Sequence, residues 1–146
     1  FSVLVSTGAA RDGAEAALLN AIAEDGDDAE AHDALGSVYR QLGRHEEAIF
    51  EHMKSISLHH DNAAAHVNLG IALADAKQLE WAIRAFETAA DLAPEWPYPH
   101  RCLYQLYKRG KRDMARAREH MTRALALRGA AQLREIQRAE GRGSWT

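Results

Sequence analysis

One cysteine, Cys102, in 146 residues excludes an internal disulfide framework and a four-thiolate metal site. No stretch approaches the roughly 18 consecutive apolar residues that a membrane-spanning helix needs. Phe1–Val5 is too short for the apolar core of a secretory signal and has no basic flank. A soluble, cytoplasmic protein is the expectation, although the absence of a starting methionine leaves export open. That same absence leads us to expect a chain that begins inside a longer protein or has lost leading residues. Also missing are His-Glu-x-x-His, Gly-x-Ser-x-Gly and any phosphate-cradling glycine loop. We therefore expect no catalysis and no cofactor.

Charge of both signs is present, but it is segregated. Residues 1–100 hold 6 Lys/Arg against 17 Asp/Glu, a balance of −11, and residues 101–146 hold 12 against 4, a balance of +8. Three readings stand side by side: a solvated, arginine-rich cap, an acidic partner at the C-terminal end, or opposite poles of two copies attracting one another. Nucleic acid is not expected. Aromatic residues are sparse after Tyr107 in the basic stretch, and the acidic field of the remainder opposes phosphate binding.

What the chain does have is a repeat. His32, Leu35 and Gly36 recur as His66, Leu69 and Gly70, a displacement of 34 residues, and His100 and Leu103 repeat the step. That interval is the length of a supersecondary unit, not a secondary-structure period. Within each unit, Leu35, Tyr39 and Leu42, then Ile49, Met53 and Ile56, fall at helical spacing. Asp27-Asp28, Asp61-Asn62 and Trp96-Pro97 offer helix starts, while Gly26, Gly43, Pro94 and Gly110 mark stops. Gly36 and Gly70 lie inside helical patterns, where glycine costs up to about 1 kcal/mol against alanine. Close approach of a paired helix is the expected reason, with Ala48 and Ala82 as the facing small surface. The third unit reaches Ala117 and Ala124 in register only if one residue is inserted near Gly110. The pattern predicts an all-α chain of antiparallel helix pairs.

These residues, with Ile83, Phe86, Ala89 and Pro94, resemble the tetratricopeptide repeat. Two units match well and the third is degenerate. The resemblance implies an α-solenoid, a right-handed superhelical array of antiparallel pairs. The expected divisions are a partial repeat over 1–28, repeats over 29–62 and 63–96, a degenerate repeat over 97–128, a capping helix over 129–140 and a tail over 141–146. Residues 13–25 read as the second helix of the partial unit and Phe1–Ser6 as a remnant of its first helix, with a strand over Phe1–Val5 as the alternative.

In this family the first helices line a concave face that binds other polypeptides. Carried onto this chain, the lining includes Asp33 and Ser37, then Val67, Asn68 and Ile71, then Tyr98, Arg101, Gln105 and Lys108. Asn68 is expected to hydrogen-bond ligand backbone, and Arg101 with Lys108 to receive acidic side chains. Repeats that grip the C-terminal carboxylate of heat-shock chaperones use lysine, asparagine and arginine at positions held here by Asp33, Ser37, Asn68, Tyr98 and Cys102. Only Asn68 matches, so that co-chaperone role is not expected. Phe50, Met53 and Trp81 are expected on the convex side, either as ordinary exposed apolar residues or as a subunit contact.

His32, His66 and His100 share one position in successive units, too far apart for a single ion. Each is expected to pack between paired helices with a ring nitrogen hydrogen-bonded, and no metal is expected. Cys102 is read as a packing residue in preference to a nucleophile. The leading functional expectation is a non-catalytic scaffold binding a polypeptide, possible acidic segments included. Its rivals are a self-associating module and an accessory domain of a larger enzyme.

Overall fold

The computed structural model describes the backbone of residues 2–143 and the side chains of residues 12–141. Seven α-helices follow in order: α1 (Ser2–Glu24), α2 (Ala29–Gln41), α3 (His45–Leu58), α4 (Ala63–Asp75), α5 (Leu79–Leu92), α6 (Tyr98–Gln105) and α7 (Met114–Gly143). No strand occurs among the described residues, so the strand alternative for Phe1–Val5 gives way to helix over the part described. Helix α1 runs unbroken through Gly8 and Gly13. Helices pair as α2 with α3, α4 with α5 and α6 with α7, and successive pairs meet through α3–α4 and α5–α6. The result is an all-α solenoid.

Local chemistry sets the boundaries. The Asp28 carboxylate accepts from the Ala31 N–H at 3.0 Å, and the Asn62 side-chain oxygen accepts from Ala64 and Ala65 at 3.0 and 3.3 Å. Each satisfies orphan donors of a first turn. Pro97 precedes α6, which needs no N–H there. Each pair turns on one residue in the left-handed region: Gly43 (φ 75°), Lys77 (φ 63°) and Arg112 (φ 54°). The residue after it closes the helix, with Arg44 N–H donating to Tyr39 O and Gln78 N–H to Leu73 O, both at 2.9 Å.

The third pair differs by one residue. Its closing bond runs from Asp113 N–H to Tyr107 O at 2.8 Å, and Leu106–Lys111 form a π-helical turn. A π turn absorbs a single inserted residue without breaking the helix. This is the insertion that the register requires. Gly110 sits inside that turn, and the reversal comes at Arg112, so the expected stop at Gly110 moves by two positions.

Two apolar clusters hold the stack. Leu35, Tyr39, Ala48 and Ala72 form one, and Val67, Leu73, Ile83, Phe86, Leu103, Leu106 and Tyr107 lie within the larger. Ala48, Ala82 and Ala117 occupy equivalent positions and are fully buried. The atoms nearest Gly36 and Gly70, however, belong to the rings of His52 and Phe86. The glycines make room for rings, not for the alanines. Helix α7 continues through Gly129, and the segment expected as a cap forms its distal half.

Candidate concave interaction face

Histidine fills the same slot between the helices of each pair, with a different answer each time. In the first pair His32 Nδ1 lies 2.6 Å from Glu51 Oε2 and Nε2 lies 3.0 Å from Gly26 O. In the second pair His66 Nε2 donates to His60 O at 3.0 Å. In the third, His100 Nδ1 lies 3.1 Å from His120 Nδ1, and His120 stacks on Tyr107 with ring centroids 5.6 Å apart. His32 and His100 meet the second helix of their pairs as expected, whereas half-exposed His66 bonds to the turn before its own helix. Among the described residues no group of three or more His, Cys, Asp or Glu is arranged to hold a metal ion.

On the face shared by α2 and α4, the polar side chains satisfy one another. Asn68 Nδ2 donates to Asp33 Oδ2 at 2.9 Å, while the other Asp33 oxygen accepts from His52 Nδ1 at 2.7 Å. Arg40 reaches Asp75 across the same two helices at 3.4 Å. Ser37 donates to the Asp33 carbonyl one turn back. Asn68 therefore spends a donor inside the array, where sequence reasoning assigned it to a ligand. Val67, also expected on the lining, is 2% exposed and belongs to the core. Its neighbour Asn68 takes the outward position, about 100° further round the helix.

The α4–α6 side is different. There Ile71, Tyr98, Arg101 and Gln105 line one open depression of about 730 Å³ between the second and third pairs. Asp75, Lys77 and Arg109 stand around it, and Phe86, Leu106 and Met121 lie beneath. Lys108 stands outside, its ammonium 5.4 Å from the centre of the Tyr104 ring. Cys102 lies in the depression, and burial pushes its thiol up to about 11 against smaller opposing effects of Tyr98 and Arg101. A thiol that stays protonated is a poor nucleophile. Of the lining expected from sequence, four residues converge here, and Asp33, Ser37 and Asn68 lie at the preceding junction between α2 and α4.

On the opposite side, Phe50, Met53 and Trp81 are 64%, 57% and 59% exposed. Met53 and Trp81 share a shallow hollow with Ile49, Leu69 and Leu73, whereas Phe50 sits apart beside Tyr39 and Glu47. The Arg84 guanidinium lies 5.2 Å from the centre of the Trp81 ring. No helix among the described residues is long and apolar enough to cross a membrane.

Comparison with known proteins bears on the architecture. A TPR repeat model matches residues 36–77, and a tetratricopeptide repeat model matches residues 63–96. Among solved structures, a crystal structure of MamA is 23% identical with a TM-score of 0.79, covering 84% of this chain and 71% of that one. MamA from Desulfovibrio magneticus RS-1, from residue 41 to its end, is 23% identical with a TM-score of 0.77, covering 88% and 72%. A MamA structure designated AMB-1 is 27% identical with a TM-score of 0.68, covering 84% and 71%. A comparison with curated protein sequences finds no match. The helix pairs, their stride of 34 residues and these likenesses agree: the chain carries tetratricopeptide repeats, stacked as an all-α solenoid that serves as a protein-interaction scaffold.

Proposed function

We propose that this chain is a non-catalytic scaffold that binds a polypeptide segment along its first helices, with α4 and α6 as the principal contact. The observation that carries the reading is the contrast between two junctions. Between α2 and α4 the polar groups pair with each other. Between α4 and α6 an open hollow has apolar residues beneath it and cations around it. A hollow of about 730 Å³ falls in the size range of ligand-binding concavities. The test is selection of short random peptides against the immobilised chain, followed by hydrogen exchange of a selected complex. Slowed exchange in α4 and α6 supports the proposal. Protection confined to α3 and α5, or failure to select any peptide, overturns it.

Self-association is a second reading, favoured by the two ends of the array. Asp25, Asp27, Asp28, Glu30, Asp33 and Asp61 surround one acidic hollow near the start of α2. At the other end α7 is rich in arginine and exposes Leu125, Leu133 and Ile136. Opposite poles of this kind attract in a salt-dependent way. Light scattering at rising ionic strength tests it: assemblies that fall apart as salt screens the charges support the reading, and a monomer throughout ends it.

A further inference from the structure

The hollow between the second and third helix pairs has a composition that selects among ligands. Ile71 comes from α4, Phe86 from α5, Leu106 from the π turn and Met121 from α7, so four elements close around one apolar floor. Water against such a floor is released when an apolar side chain covers it, at about 25 cal/mol per Å² buried. Three cations stand at the edge: Lys77 at the turn, Arg101 on α6 and Arg109 in the π turn. Among the described residues none of the three forms an ion pair. The single carboxylate at the edge, Asp75, is already engaged by Arg40. The rim therefore carries three cations against one carboxylate, which Arg40 already engages.

The π turn borders this arrangement. Arg109 and Gly110 line the hollow from it, and the atoms nearest the missing Cβ of Gly110 belong to the Leu79 and Leu106 side chains. A side chain at 110 would meet Leu79 at 3.1 Å. Glycine there lets the turn lie down against the floor.

We infer that the hollow takes an amphipathic acidic segment: a polypeptide stretch in which an apolar side chain that enters the floor is flanked by carboxylates that pair with Arg101 and Arg109. This rests on the concave-face reading above and names the class of partner. The two parts of the recognition divide the work. Apolar contact supplies affinity that survives salt, and the arginine–carboxylate pairs supply orientation and faster encounter. The balance of +8 over residues 101–146 extends the attracting field beyond the rim.

The experiment selects binders for the whole chain from a phage-displayed library of random short peptides. A peptide from the dominant family is then labelled and its affinity measured by fluorescence anisotropy. Expected is enrichment of Leu, Ile, Phe or Trp beside Asp or Glu. Arg101→Glu and Arg109→Glu should each weaken the labelled peptide about tenfold or more, about 1.4 kcal/mol. Arg134→Glu, on the distal half of α7 away from the hollow, should change it less than about twofold. Circular dichroism of each surface variant establishes that the fold is intact. Peptides that protect α4 and α6 but carry no carboxylate, or binding indifferent to both reversals, would sink this inference and leave the concave-face reading standing. Failure to select any peptide would sink both.

Discussion

Gly70 and the Phe86 ring compete for one volume: a Cβ on Gly70 would lie 2.6 Å from Phe86 Cε1. Gly36 stands in the same relation to His52, at 2.7 Å. Phe86 is 3% exposed and cannot swing into solvent. Gly70→Ala adds helix propensity worth about 1 kcal/mol, yet it must displace a buried ring between two packed helices. We expect the steric cost to win, with a net loss of about 1–3 kcal/mol in urea unfolding. Combining Gly70→Ala with Phe86→Leu should recover part of that loss. A midpoint unchanged from the parent in the single variant would contradict the close packing of α4 on α5.

The first pair solves the same problem with a polar ring, at a cost. His52 is fully buried and its Nε2 has no hydrogen-bond partner. An unmet buried polar atom costs about 1–3 kcal/mol. His52→Phe copies the second pair into the first and removes that atom. Asp33 loses one donor but keeps Asn68, and its side chain retains contact with water. The variant should therefore gain about 1 kcal/mol in denaturant unfolding. A lower midpoint would mean that the His52–Asp33 bond outweighs the orphaned nitrogen.

Asn68 serves the junction between units. Removing its amide by Asn68→Ala leaves Asp33 Oδ2 to solvent and unties α4 from α2. A loss of about 1 kcal/mol in stability is expected, read as a lower thermal midpoint with unchanged helical content at low temperature. Asn68→Ala combined with Asp33→Ala should lose less than the two single changes added together, because they break one shared contact. Strict additivity would remove the pair from the account of unit-to-unit packing.

Such ties explain what could and could not be read ahead of the structure. Helix starts at Asp28 and Asn62 were legible because a cap acts within three residues. The inserted residue near Gly110 was legible as a break in register, but not as a π turn, since only the backbone bonds reveal how the extra residue is housed. Lys77 in the left-handed region carries no sequence mark at all, although its equivalent Gly43 does. Asn68 with Asp33, and Arg40 with Asp75, are contacts between neighbouring units. Their formation depends on how far one pair rotates against the next, which the core sets and no local pattern encodes. Glu51 and His120, partners of His32 and His100, lie on the second helix of the same pair, and which side chain there meets the histidine depends on how the two helices cross.

His100 and His120 make the third pair sensitive to acid. Burial holds both below the ordinary histidine value, aided by Arg123 for each and by the neighbouring ring for His120, with Glu119 opposing. The two Nδ1 atoms 3.1 Å apart form a hydrogen bond when one donates and the other accepts, which two protonated rings cannot do. In the unfolded chain each ring titrates near the usual 6.5. With the folded values depressed, the unfolded state binds more protons in that region. Stability from this pair is thus complete above about pH 6.5 and falls as the pH drops through the lower folded values. Thermal midpoints measured from about pH 7.5 down to about pH 5 should decline in the parent. Replacing both rings, as in His100→Gln with His120→Phe, should flatten the variant's own decline over that range, so that the two curves converge or cross as the pH falls, while Phe keeps the stacking on Tyr107. Parallel curves for parent and double variant would show that the acid limb originates elsewhere in the array.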